Sequence, residues 1–422
     1  MDKIPQQDIQ ILRDLAKKTS EVASLPIQAE RRRLWRALNG LKPERPMVLI
    51  DQICWNEMNV DDELTLRCES SLGQRYETYL RRQLYTHRHM PTDLVIEPCV
   101  LVPKIISGYR AGFADWEGHF DFGIQVDQEV SVSDVTNNIV GHAYKCQIFG
   151  EEDLEKIKMP VIRYQEEETL RQLALVQEIF GDSIEVKLEG CYPGFWFFDA
   201  LVHWCGVENT LYNLISDPEF VHALCRRLLD AYLSGLDQLE AQGLLGDHQT
   251  LVHCTGAYSD ELENSSAPLG SAKRLWTFNL SQIFCSISPA MHDEFEANYS
   301  KEWYERFGLG YYGCCEPLHD RVSMLQKIPN IRKVSISPFA NPELGAEALG
   351  NRYVMSRKPN PNIFASSSFD AGASYQEVRE LMKTCRKTGT PLEIIQKDVS
   401  TLLYKPQRLW QWAEEVSRAV CE

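Results

Sequence analysis

Two short stretches of this chain concentrate the soft and ionisable side chains that chemistry needs. One is His253-Cys254-Thr255-Gly256, which ends the apolar run Thr250-Leu251-Val252. The other is Gly313-Cys314-Cys315-Glu316-Pro317, which ends Leu309-Gly310-Tyr311-Tyr312 and is followed by His319 and Asp320. Thiols, an acid and imidazoles at two strand ends suit a tetrahedral zinc ion, which takes Cys, His and carboxylate ligands. His253, Cys254, Cys314, Cys315 and Glu316 are therefore the candidate metal ligands. Neighbouring residues on a strand point to opposite faces, so only one of Cys314 and Cys315 is expected in a shared mouth unless the backbone turns there. Each thiol has a competing reading as a small buried hydrophobe. For His253 the competitor is a buried imidazole held by backbone hydrogen bonds.

Tyr258, Asp260 and Glu261 follow in the same loop as His253 and are candidates for binding or catalysis, against the reading that loop acids are simply solvated. Charge also stands at three other strand ends: Glu189, the Arg357-Lys358 pair ahead of Pro359, and Lys397-Asp398 after Ile394-Ile395-Gln396. Cations at such a mouth suit an anionic substrate or cofactor. Arg357 and Lys358 are assigned to cofactor binding, with Lys358 also near the chemistry. The alternative is that these lysines pair with acids of the fold.

The elements that would position these groups repeat with a regular rhythm. The first forty residues read as helix, with Leu34, Trp35 and Leu38 on one face and Gly40 as a stop. Pro46 to Asp51 reads as a buried parallel strand, residues 62–90 as helix, and residues 94–96 and 100–102 as apolar runs. Residues 120–149 look like an antiparallel insertion with Asn137 and Asn138 at its turn. Helix at 166–180 and strand at 184–189 follow. The clearest helix starts at the N-cap Asp217 with Pro218 in its first position and runs to Gly243.

Strands are then expected at 250–254, 282–288, 309–315, 331–337, 352–356 and 392–396. Helices lie between them, one opened by a Ser374-x-x-Glu377 capping box, and a last helix carries Leu409, Trp412, Ala413 and Val416. About eight strands feeding helices predict an α/β fold, a (β/α)8 TIM barrel with N-terminal helices and a small antiparallel insertion. Residues 1–40 form the helical segment and residues 41–422 the barrel domain.

Composition sets the outer limits. Lys plus Arg number 44 against 60 Asp plus Glu, a net charge of -16 that argues against nucleic acid or an anionic membrane surface as partner. The N-terminal residues carry no apolar signal core, and no run approaches a membrane span of about 20 apolar residues. The 13 cysteines are odd in number and scattered, unlike the staples of a small secreted domain, so a reducing cytoplasm is expected.

Asp217-Pro218-Glu219-Phe220-Val221, then Ser286-Ile287-Ser288-Pro289 with Glu294, Phe295 and Tyr299, then Tyr311 to His319 together resemble the uroporphyrinogen decarboxylase superfamily from about residue 40 onward. The Gly-Cys-Cys-Glu-Pro-Leu stretch with Lys358-Pro359-Asn360-Pro361 looks like its uroporphyrinogen decarboxylase-like, corrinoid methyltransferase-like subgroup. The resemblance implies a barrel and either of two chemistries. The decarboxylase grips tetrapyrrole carboxylates through an N-terminal Arg-Gln-Ala-Gly-Arg motif, whereas the first strand here reads Pro46-Met47-Val48-Leu49-Ile50-Asp51-Gln52. The methyltransferase branch binds zinc through His-x-Cys and a later Cys. Here His253 is present, Thr255 stands at the second place, and Cys254 lies between.

The expected function is thus zinc-dependent methyl transfer between a methylated corrinoid and a small thiol or other nucleophile, with Zn2+ bound to the chain. The methylcobalamin or related corrinoid would arrive on a partner corrinoid protein, since no Asp-x-His-x-x-Gly module is present. The alternatives are a metal-independent decarboxylase or lyase with Asp260, Arg357 or Lys358 near the chemistry, and a non-catalytic corrinoid or tetrapyrrole binder. The partners expected are the corrinoid protein and a small-molecule substrate, with a homodimer compatible with the reading.

Overall fold

The computed structural model describes residues 4–110, 118–134 and 139–422. Helices α1 (Gln6–Ala23) and α2 (Pro26–Asn39) open the chain, each burying one apolar stripe. Leu34, Trp35 and Leu38 form the stripe of α2, which begins on Pro26 and ends at Gly40 as its sequence predicts.

The parallel strands are β1 (Met47–Ile50), β2 (Cys99–Pro103), β3 (Glu185–Glu189), β4 (Trp276–Asn279), β5 (Leu309–Tyr312), β6 (Ile331–Ile336), β7 (Val354–Arg357) and β8 (Leu392–Gln396). Six of them make one parallel sheet in the order β1-β8-β7-β6-β5-β4, and β2 pairs in parallel with β3. Strands β4, β5, β7 and β8 are buried at every position, the signature of a parallel sheet covered on both faces. Between β1 and β4 the ladder gives way to single links among the described residues. Asp93 exchanges hydrogen bonds with Val48 on β1, and parallel bridges join Cys191 to Leu245 and Phe195 to Asn279. Gln128–Asp134 and Ile139–Tyr144 pair antiparallel, the insertion expected from the sequence; its turn at Asn137 and Asn138 lies outside the described residues. Among the described residues no helix is long and apolar enough to cross a membrane.

Several expectations need correction. Residues 250–254 are not a parallel strand: Leu251–Val252 folds back antiparallel on Thr255–Gly256, with His253 and Cys254 as a two-residue turn. Gly256 permits the return, because a Cβ there would stand 2.6 Å from the Trp35 ring of α2. Residues 282–288 are not a strand either. Gln282–Ser286 is a 3-10 helix and the strand comes earlier, at Trp276–Asn279, because a short apolar run does not by itself distinguish strand from helix. The helix expected over 62–90 is Ser71–His89, begun by the Ser70 side chain accepting from Gly73 N–H. The apolar run at 94–96 carries no strand, which starts only at Cys99. The helix assigned a Ser374 capping box instead starts at Ala371, with Asp370 accepting from Gly372 N–H.

Candidate active site at the carboxyl ends of the parallel strands

Parallel strands end on one side, so the residues after β4, β5, β7 and β8 gather there, and the 250–257 hairpin lifts its tip among them. Gly313 makes the turn after β5 with φ 93°, a conformation open to glycine, where a Cβ would also stand 2.4 Å from Leu318. That turn releases both following thiols from strand alternation, and Cys314 Sγ lies 3.7 Å from Cys315 Sγ. Glu316 is fully buried and accepts the N–H groups of Cys314 at 2.9 Å and Ser281 at 3.0 Å, tying the ends of β5 and β4 together.

Lys397, the residue after β8, sends its Nζ to 3.3 Å from Cys314 Sγ and 3.4 Å from His253 Nε2. The His253 ring also packs on Phe278 and Tyr311. Its φ of 50° is unusual for a side chain with a Cβ and costs about 1–2 kcal/mol, so the hairpin tip is held by packing rather than by local preference. Cys254 Sγ faces Tyr311 Oη at 3.9 Å, and Lys358 donates to Tyr311 Oη and to Ser356 Oγ.

The charges follow from this packing. Cys314 is pushed well above the ordinary thiol range, first because it donates its S–H to Cys315 and then by burial, against the pull of His253 and Lys397. Cys315, half-buried, is held below the ordinary value by that same hydrogen bond. Burial pushes Cys254 up to about 11 despite Lys358 and Lys397, leaving it a neutral thiol. For Lys397, burial works against the ammonium, but its neighbours Cys314, Cys254 and Asp398 favour the charged form and its pKa is raised. Of the pair, Cys315 is thus the thiol that ionises more readily.

An expected result follows. Alkylation of Cys315 by iodoacetamide, resolved by peptide mass spectrometry from exposed Cys285 and Cys421, should show a midpoint below the free-thiol value of about 8.5. Below its pKa a thiol is protonated and inert, so a lowered pKa extends reactivity toward neutral pH. Cys314→Ala should raise that midpoint; a midpoint at the free-thiol value in both proteins would refute the shared-proton geometry.

The structure thus brings together His253, Cys254, Cys314, Cys315 and Lys358. Glu316 stays at the mouth, bound to the Cys314 and Ser281 N–H groups, whereas Tyr258, Asp260 and Glu261 lie elsewhere, because the hairpin turns the chain back toward the amino ends of the strands. Glu261 pairs there with Arg332 at the start of β6, Asp260 pairs with Arg36 of α2, and Tyr258 donates to Glu97 at 2.6 Å. Arg357 is spent on the Ser337 carbonyl and Glu377.

Asp199, in the helix Phe197–Cys205, was not a candidate from sequence. Burial and the nearby Glu316 push it up to about 6, while Gln282, bonded at 2.9 Å, and His253 pull it down. No local pattern marks it, since only the docking of its helix brings it to the mouth. Lys397 was visible as a cation directly after an apolar strand, though not as the group that bridges His253 and Cys314.

Zinc does not fit this arrangement. Among the described residues no three His, Cys, Asp or Glu side chains stand together where one metal ion could be held. Two features compete with a metal: the Lys397 ammonium contacts both His253 and Cys314, and both oxygens of Glu316 are taken by backbone N–H groups.

Fold and mouth define a parallel α/β protein with a thiol, imidazole and lysine cluster at its strand ends. No family model matches the chain, and no curated protein matches it. Among solved structures, a methyltransferase from Methanosarcina mazei is similar over 92% of this chain and 97% of that one, with 10% sequence identity and a TM-score of 0.49. A likeness of that strength lends no weight to an activity for this chain.

Proposed function

We propose that this chain is a methyltransferase on a (β/α)8 barrel, in which β2, β3 and the bridges at Cys191 and Phe195 complete the wall begun by the six-stranded sheet. It moves a methyl group from a methylated donor to a small thiol at the mouth beside β5 and β8. The observation that carries this reading is that Lys397 Nζ lies 3.3 Å from Cys314 Sγ and 3.4 Å from His253 Nε2. A buried ammonium stabilises a thiolate beside it, and an imidazole within reach can take the proton of an entering thiol. The thiolate sulfur then forms a bond to the methyl carbon as the donor's bond to that carbon breaks, its electron pair leaving with the donor. A corrinoid carried by a partner protein would supply the methyl group. Zinc would enter this reading only by displacing Lys397, so the lysine takes the part of counter-cation that the resemblance gives to the metal.

The reading is tested with free methylcobalamin as donor and 2-mercaptoethanol as acceptor, following corrinoid absorbance and the S-methyl product by mass spectrometry. Product should form only with both enzyme and thiol present. Formation no faster than in enzyme-free controls would remove the proposal.

A further inference from the structure

A second cavity, of about 900 Å³, opens where the ladder is interrupted between β1 and β2, and α3 (Ser71–His89) roofs it. The volume is that of a site for a drug-sized molecule. A helix facing a sheet normally turns an apolar stripe to it. Here the stripe is Arg75, Thr78, Tyr79, Arg82, Gln83 and Thr86, spaced at three and four along α3, and every one lines the cavity. The opposite wall is apolar, with Leu49, Val95 and Leu101, and Trp55 stands at the side.

The charges on the wall are unevenly spent. Asp93 is held by Arg45 at 2.6 Å, and Glu97 by Arg32 at 3.1 Å and by the Tyr258 hydroxyl. Arg82, by contrast, forms no salt bridge to a carboxylate among the described residues. Its guanidinium lies over the Trp55 ring, 4.8 Å from the centroid, and burial alone draws its pKa below the ordinary arginine value. A half-buried guanidinium stacked on an indole keeps its in-plane N–H fork for an oxyanion. At one end the cavity reaches Asp51 after β1 and Cys254 at the hairpin tip, on the same side of the strands as the candidate active site.

We propose that this cavity binds a small organic carboxylate with an apolar body, its carboxylate on Arg82 and its body between Trp55 and the apolar wall. The inference is independent of methyl transfer, because it uses none of the Lys397 cluster and concerns binding alone. The carboxylate is preferred over a phosphate monoester because the planar fork of the single Arg82 guanidinium matches the two oxygens of one carboxylate.

Binding is measured by calorimetry on wild-type protein without methyl donor, with 4-phenylbutyrate, 4-phenylbutanol and phenyl phosphate as probes. The acid should bind at least tenfold more tightly than the alcohol and than the phosphate. Arg82→Gln should remove that preference while leaving the alcohol unchanged, and Arg82→Lys should keep part of it; unchanged thermal midpoints show that the fold is intact. Equal affinity for acid and alcohol, no binding of either, or an acid preference that survives Arg82→Gln each overturns the proposal. Tighter binding of phenyl phosphate overturns the choice of carboxylate. All these outcomes are read without methyl transfer, so they stand or fall apart from that reading.

Discussion

Lys397→Met should lower thiol-dependent methyl transfer by about 10²–10³-fold, the usual loss when one preorganised charge facing a reacting anion is removed. The methionine matches the length of the buried stem, so the effect should fall on the reaction rather than on the fold. Arginine keeps the charge but not the compact head between Cys314 and His253, and Lys397→Arg should recover only part of the rate. Lys397→Met should also raise the pH midpoint for the thiol pair, since a cation that favours the charged form has gone. The rate should fall in kcat with a smaller change in the thiol KM, because the ammonium interacts more strongly with charge than with a neutral thiol. Retention of more than about a third of the wild-type rate would show that Lys397 carries no reacting charge. In His253→Gln the loss should be about 10²-fold or more, the range for a lost general base.

Lys333→Met should destabilise the protein by about 3–5 kcal/mol, the cost of leaving a buried charge without its partner. Lys333 on β6 and Glu393 on β8 are both fully buried, 2.8 Å apart. The ammonium also donates to Thr255 Oγ1 at 2.9 Å and to the Gly256 carbonyl at 3.0 Å, while Thr255 Oγ1 donates to Glu393 at 2.8 Å. The rings of Trp35 and Trp276 flank it. This group fastens the returning arm of the hairpin inside the sheet and so sets where His253 stands. The combined Lys333→Met, Glu393→Leu variant should regain much of the loss, because an ion pair replaced whole by apolar side chains is often neutral in stability. Urea denaturation measures both. A loss under about 1 kcal/mol for Lys333→Met alone would mean that Glu393 finds water or another cation.

Much of the framework was legible because its signals are local. Glu166–Phe180 and Leu392–Gln396 fall where periodicity and burial predict, and Asp217 with Pro218 starts its helix as capping chemistry requires. The candidate thiols were legible too, as soft residues at the end of an apolar strand. The failures cluster at 250–257 and 282–288, where four or five apolar residues stand without a length or period that chooses a conformation. There the surroundings decide: Trp35 lies against Gly256, and Lys333 with Glu393 binds Thr255.

By itself, then, the sequence determined an alternating α/β chain, its buried parallel strands, and Cys314, Cys315 and His253 as residues able to do chemistry. Tertiary structure alone decided that a hairpin carries His253 to those thiols, that Lys397 sits between them, that Asp199 joins the mouth, and that Tyr258, Asp260 and Glu261 turn away. The physical reason is the range of the forces involved. Helix caps and strand burial are written within a few residues, whereas the position of an ammonium between a thiol and an imidazole depends on segments 83 and 144 residues away in sequence.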